Sequence, residues 1–543
     1  MGHMHTAGNQ PPECRNEECG KRGIMGCGKG FQQSEISKNY VCTEMNHSGR
    51  TMKKENEVDL KAIARDVMRK YGFSPDFPDA VVREAREMEE NPPRGDRKDT
   101  RDLTGLLWSS IDNSDSMDLD QIEYCEGVSG DEVQVKVAIA DVDYYVRKGS
   151  PADRHASHNG TSVYLGVETF PMLPDQLSKG ISSLLPGGEK RAMVIEYGVL
   201  PDGTVRHGDI YRAVVQNRAK LVYEQVGEWL EGTGPVPETI MNVPGLEAQI
   251  LLQAEVTRRL RARRMEQGAL DLETLEAEAV MENGQVRELV VQRQNPARSI
   301  IEELMVAANQ TMVKRLGDAG IPMIQRIVRV PKNWDGIVGT AAEYGTHLPA
   351  DPDSKALAIF LDRRREADPE RFPDLSLTIV KLMGPGEYVA YTPGDVPIGH
   401  FALAVMDYTH STAPNRRYVD IINQRLLKSV LDNKPVPYRK KELDELASWL
   451  TDRDKSSQKA ERFMLKSAAA VLLKDSIGDI FDAIVTGAAE KGTYVRLISP
   501  PVEGRVMKGE YGLKVGQKVV VRLLSTNPWK GYIDFECTDR KRR

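Results

Sequence analysis

At 543 residues the chain is too long for one ordinary domain and suggests two to four, and 40% hydrophobic with 28% charged residues is the balance of a globular protein. No run of about 18 apolar residues occurs, so no helical membrane span is predicted, and the N-terminus has no apolar signal-peptide core. A net charge of −6 does not by itself point to nucleic acid, yet residues 481–543 hold 12 Lys/Arg against 7 Asp/Glu, a balance of +5 that leaves −11 for the remainder.

His3-Met4 reads as a cloning remnant, and residues 1–55, rich in Gly, Asn, Ser, Lys and Glu without periodicity, read as a disordered leader. Its Cys14, Cys19, Cys27 and Cys42 are separated by four, seven and fourteen residues, unlike the paired knuckles of zinc sites. A reduced cytoplasmic leader is the reading preferred here, with a four-Cys zinc cluster as the alternative. Residues 56–100 form a helical region: Leu60, Ile63, Ala64 and Val67 recur at helical spacing, and Pro92-Pro93 ends it.

From 101 to 478 the pattern predicts a main domain. Short β-type runs dominate to about 215, among them Val133–Ala140 and Ala192–Tyr197, and helices are predicted over 219–265, 297–317, 354–366 and 441–477. Residues 479–543 change character. Five short apolar runs begin at Ala483, Thr493, Val502, Lys518 and Tyr532, with Gly504 and Gly516 at bends, which predicts a small closed barrel. Their order, with Gly487, Gly492, Tyr494 and Val495 early on, resembles the S1-type RNA-binding OB-fold.

The most informative stretch runs from Ser109 to Gln121 and places Asp112, Asp115, Asp118 and Asp120 within nine residues. No regular helix or strand could aim all four at one point, so convergence requires an irregular loop. Four converging carboxylates repel unless cations neutralise them, and hard oxygen ligands suit Mg²⁺, with Mn²⁺ as an alternative. Two such ions about 3.5–4 Å apart would serve phosphodiester hydrolysis. A solvated acidic loop is the competing reading. An EF-hand is a third, since Asp112, Ser114, Ser116, Asp118 and Glu123 fall at its positions, but Met117 stands where that loop needs Gly.

The pattern resembles the RNase II/RNase R (RNB) family of exoribonucleases. Asp112, Asp115, Asp118 and Asp120 match its D-x-x-D-A-x-D-x-D-D type motif in register, and Gln121 replaces the last aspartate. Val137–Val142, Gly160–Leu165, Pro171–Pro174, Ile301–Asn309 and Tyr408–Tyr418 follow in the family's order, so the resemblance covers about residues 57–540. Family members usually begin with two cold-shock OB-folds; here the roughly 100 preceding residues read as tail and helices.

The resemblance implies an α+β catalytic domain with a C-terminal five-stranded OB-fold barrel. It implies processive 3′→5′ hydrolysis of single-stranded RNA to nucleoside 5′-monophosphates by a cytoplasmic, Mg²⁺-dependent enzyme, read here as a monomer. It makes Asp112, Asp118 and Asp120 metal ligands, Asp120 being the carboxylate most tied to catalysis, with Asp115 and Gln121 beside them. Arg416 would grip the phosphate near the scissile bond, with Arg417 as the next candidate, and Glu461 would hold the 3′-terminal nucleotides. Tyr164 would stack on a base, while Gly320–Ile324 offers no second aromatic for a clamp. Tyr494 and Arg496 would meet RNA on the barrel. His400 and His410 are read as structural. The rival reading is an RNB-fold RNA-binding protein weakened by Gln121, and a DNA exonuclease is a third. No P-loop, G-x-S-x-G elbow or H-E-x-x-H helix offers another chemistry.

Overall fold

The computed structural model describes residues 58–540 apart from 94–98, 274–275, 283–284, 293, 370 and 490–491. The leader and its four cysteines lie outside the described residues.

The N-terminal helical region holds two helices. Helix α1 (Leu60–Lys70) begins where the Asp59 carboxylate accepts from Ala62 N at 2.9 Å, and it buries Leu60, Ile63, Ala64, Val67 and Met68. Gly72 at φ +80° stops it, Pro75 and Pro78 follow, and α2 (Asp79–Glu90) buries Val81 and Ala85.

The main domain is built on a mixed sheet. Its strands are β1 (Thr100–Asp102), β2 (Ser109–Asp112), β3 (Gln121–Gly127) and β4 (Val133–Ala140). After α3 (Pro151–Asn159) and the small β5–β6 pair (Val163–Tyr164, Thr169–Phe170) come β7 (Lys190–Val199), β8 (Val205–Val215) and β9 (Ala219–Val222). Among the described residues the strand order is β1-β8-β7-β4-β3-β2-β9. β4 is buried along nearly its whole length because both faces are covered, which explains its continuous apolar run.

The helix expected from 219 starts later. Ala219–Val222 instead pairs in parallel with β2, Asp112 opposite Val222, and covers that strand's edge. Helices α4 (Tyr223–Leu230), α5 (Glu238–Met241) and α6 (Leu246–Gln267) follow, then the β10–β11 hairpin (Glu276–Glu282, Gln285–Gln292). The long α7 (Pro296–Asp318) packs on the sheet, where Tyr197 Oη donates to Leu304 O at 2.9 Å.

β12 (Met323–Ile327) pairs with β13 (Glu387–Tyr391). Between them α8 (Trp334–Glu343), α9 (Ser354–Ala367) and α10 (Phe372–Met383) close a small core of their own around Trp334, Phe360 and Phe372. α11 (Tyr418–Leu431) is buried on nearly all sides, and α12 (Lys440–Leu472) runs along the domain.

The C-terminal strands β14 (Ile480–Ala489), β15 (Gly492–Leu497), β16 (Glu503–Lys508), β17 (Lys518–Asn527) and β18 (Tyr532–Arg540) close in the order β14-β15-β16-β18-β17. Gly504 lies inside β16 rather than at a bend: a Cβ there would run into the Phe535 ring and the Ile533 carbonyl. Gly516 does turn the chain, at φ +79°. The barrel core continues into Ala469, Ala470 and Leu473 at the end of α12. The fold is thus the α+β domain and OB-type barrel expected. Among the described residues no helix is long and apolar enough to cross a membrane.

Candidate active site

At the end of β2 the chain leaves the sheet and rejoins it at β3, so the four aspartates occupy an irregular loop. Backbone and neighbours fix its path. Lys220, beside Ser110 on the adjoining strand, donates Nζ to Ser114 O at 2.8 Å and Ser116 O at 2.5 Å. Ser183 Oγ donates to Met117 O at 2.7 Å and accepts from Leu119 N at 2.9 Å. Ala140 N donates to Asp120 O at 2.9 Å.

The second half of the site is the Tyr408–Tyr418 motif, nearly three hundred residues downstream. Asn309 Oδ1 accepts from Ser411 N at 2.8 Å and Ser411 Oγ at 2.7 Å, tying the motif to α7. Gly160–Ser162 runs alongside its end: Tyr418 N donates to Gly160 O at 3.0 Å and Ser162 N to Arg416 O at 2.9 Å. Gly160 sits at φ +72° against Arg453 and Leu450, where a Cβ has no room.

These supports bring the motif against the acidic loop. Asp120 is 2% exposed. Its Oδ1 accepts from Asn415 N at 2.7 Å and its Oδ2 from Arg416 Nε at 3.2 Å. Burial pushes its carboxyl up to about 8, against the opposing pull of Arg416 and the Asn415 N–H. Burial opposes the charge of Arg416 too, but Asp120, Asp112 and Asp118 outweigh it and raise the guanidinium above its ordinary value. Asp120 thus pairs with the guanidinium directly, while Asp112 and Asp118 act on its charge without an ion pair to it among the described residues.

Tyr164, 44% exposed, stands beside this group: burial raises its phenol, and Arg416, Asp118 and Asp120 all act on it. Arg417 turns the other way and binds Asp420 through two bonds, at 2.9 and 2.8 Å. Asp115 lies exposed at the loop tip, with no hydrogen bond or ion pair among the described residues. Gln121 is buried at the start of β3, opposite Ile139. Glu461 accepts from Ser457 Oγ at 3.0 Å on α12, whose Ala460 and Met464 pack with Val163, the neighbour of Tyr164.

The remaining candidates have other partners. Arg496 is paired with Asp374 on α10 at 2.7 Å, and Tyr494 has Lys466 Nζ 5.7 Å from its ring. His410 Nδ1 bonds the Tyr388 hydroxyl at 2.8 Å, and burial drives its pKa well down. His400 Nδ1 accepts from Leu403 N at 3.2 Å, and burial takes the ring to about 4. Both rings serve the fold.

Two neighbours escaped the sequence reading. Tyr223 follows β9 directly, so the pairing of β9 with β2 sets it beside Asp112. The Arg298 guanidinium covers its ring at 4.5 Å and also donates to Asn113 Oδ1 at 3.4 Å. No spacing signal links positions more than a hundred residues apart.

Among the described residues no three His, Cys, Asp or Glu side chains are gathered into a ready-made ion cage. The donor chemistry nevertheless fits a hard divalent cation. Asp112, Asp118 and Asp120 offer only oxygens along one loop, and nearby Glu123 is buried with neither carboxylate oxygen bonded.

Fold and site define a class: an α+β core whose carboxylate loop faces an arginine, joined to an OB-type barrel. The family model described as the RNB domain matches residues 97–433, and that of the RNase II-type exonuclease C-terminal S1 domain matches 479–538. Ribonuclease R of Thermotoga maritima is 31% identical over 447 residues, 79% of this chain and 61% of that protein. Ribonuclease R of Aquifex aeolicus is 30% identical, over 88% of this chain and 71% of that protein. Among solved structures, Mycoplasma genitalium RNase R in complex with ribose-methylated single-stranded RNA superposes with a TM-score of 0.78 at 24% identity, covering 88% of this chain and 78% of that one.

The chain belongs to the RNB family. It spans about three-fifths of the length of the Thermotoga relative.

Proposed function

We propose that this protein is a 3′→5′ exoribonuclease that hydrolyses single-stranded RNA to nucleoside 5′-monophosphates. The observation that carries this is the pairing of Arg416 with the buried Asp120 of the acidic loop, beside the half-exposed ring of Tyr164. Arg416 offers a permanently charged planar fork to the oxygens of the scissile phosphate. Tyr164 stacks on a base, which is sequence-tolerant because every base has a π-face. Glu461 contacts the 3′-terminal nucleotide from α12. Asp112, Asp118 and Asp120 would hold Mg²⁺, or Mn²⁺, which supplies Lewis-acid polarisation of the phosphate and charge neutralisation. Water attacks phosphorus and the 3′-oxygen of the shortened strand leaves, so the released nucleotide keeps the 5′-phosphate. Among the described residues Cys125 and Cys537 form no disulfide, which suits a reducing compartment, and we assign the activity to the cytoplasm.

The test is 5′-labelled RNA incubated with purified protein in Mg²⁺, Mn²⁺ or EDTA. Stepwise 3′ shortening with 5′-mononucleotide products, abolished by EDTA, is the expected result. Internal cuts, or full activity in EDTA, would refute the mechanism. RNA binding without shortening in either metal would favour the non-catalytic reading, in which Gln121 marks a weakened site.

A further inference from the structure

Glu123 is the third residue of β3 and has no exposed surface. Neither of its carboxylate oxygens has a hydrogen-bond partner. Directly opposite on β2 is Ser109, whose hydroxyl is buried and equally unpartnered. Three residues beyond Ser109, where β2 ends, stands Asp112. Burial, with the Asp112 charge behind it, drives the Glu123 carboxyl well above its ordinary range. The arginines in this corner are engaged elsewhere: Arg416 binds Asp120, and Arg298 binds Glu224 at 2.9 Å and Asn113.

Side chains alternate along a strand, so Gln121 and Glu123 share one face of β3. An uncharged amide thus occupies the position next to the acidic loop, and an unpartnered carboxylate stands one step behind it on the same face. A buried carboxylate left without donors is costly, and unusual unless a cation or a proton neutralises it. Glutamate is also a methylene longer than aspartate, which extends its reach towards the loop.

We propose that Glu123 completes the divalent-cation site of this chain, supplying together with Asp112 the negative charge that Gln121 lacks. The inference rests on the reading of the acidic loop as a cation site, and the experiment separates the two.

Mn²⁺ binding to the full chain is measured by calorimetry and by electron paramagnetic resonance, without RNA, for wild type, Glu123→Gln, Glu123→Val and Asp115→Asn. Glu123→Gln and Glu123→Val should each weaken Mn²⁺ binding at least tenfold, while Asp115→Asn leaves it within about twofold. Without metal Glu123→Val should melt at or above the wild-type temperature, because an unpartnered buried polar group has been removed. Adding Gln121→Asp to Glu123→Gln should restore Mn²⁺ affinity. Unchanged affinity and stoichiometry in Glu123→Gln or Glu123→Val would overturn the proposal and leave Glu123 a neutral core acid. Wild type that binds no Mn²⁺ would overturn the underlying cation reading as well.

Discussion

Arg416 places its Nε 3.2 Å from Oδ2 of Asp120, a residue 296 positions earlier in the chain, and the Asn415 N–H secures the other oxygen of the same carboxylate. One carboxylate is thus gripped by two consecutive residues of the motif. Its placement depends on Ser183 and Ala140 on one side and on the Gly160–Ser162 segment on the other.

Asp120→Asn keeps the size but offers one acceptor oxygen where the carboxylate offers two, so it keeps only one of the bonds from Asn415 N and Arg416 Nε and cannot ionise. Turnover should fall by about 10²–10⁴-fold, the scale for losing one directly acting group. Affinity for RNA measured without metal should stay the same near neutral pH, where the raised Asp120 carboxyl is largely protonated, and should rise above about pH 8, where the wild type carries the charge that Asn lacks. Single-turnover assays and filter binding read the two effects separately. Equal turnover in both proteins would place the chemistry elsewhere.

Arg416 and Arg417 should separate cleanly. Asp420 is fully buried and receives both Arg417 bonds as well as Ala413 N at 2.8 Å. Arg417→Met therefore strands a buried carboxylate and should lower stability by about 3–5 kcal/mol. Arg416→Ala takes one of two donors from buried Asp120, whose raised carboxyl can take up a proton instead, so it should cost less stability than Arg417→Met while removing turnover. Thermal denaturation paired with the nuclease assay checks this, and a reversed pattern would exchange their roles.

Much of this site could be read from local sequence because its two halves are short and chemically dense: four aspartates in nine residues, and consecutive arginines behind Pro414-Asn415. What stayed hidden depends on partners distant in sequence. Ala219–Val222 becomes a strand because β2 offers an edge, and Lys220 and Tyr223 reach the acidic loop only through that pairing. Helix α11 gave no periodic signal because its polar residues are buried too. Asn423 donates to Thr409 and His410, Gln424 to Ala140 O, and Arg425 to Asp143, Val146 O and Tyr438, so the helix has no solvated face to mark it. The same blindness concealed Glu123, which looks like an ordinary charged residue until both its oxygens are found buried without donors.

Tyr164 tests the path of the substrate. Its ring is held at the end of β5 by the pairing of Val163 with Phe170, so Tyr164→Ala removes the platform without disturbing the core beneath it. The lost stacking is about 1–3 kcal/mol per base. The smallest resistant product should change in length, seen on a denaturing gel, whereas an unchanged ladder would make the ring a wall of the fold only.

Arg496 tests how the barrel meets RNA. The sequence reading gave it to RNA, but the structure gives it a partner: Asp374 on α10, with both side chains largely buried. Burial raises the Asp374 carboxyl, and Arg496 opposes that rise, so the pair holds barrel and helix together. Removing one member of such a pair leaves the other buried and unpaired, at a cost of about 1–3 kcal/mol or more. Arg496→Met should therefore lower the melting temperature while the slope of log affinity for single-stranded RNA against log salt stays as in wild type. Were Arg496 a phosphate contact, the slope would lessen by about 0.7. A shallower slope with unchanged melting would return Arg496 to the RNA surface and leave Asp374 with another role.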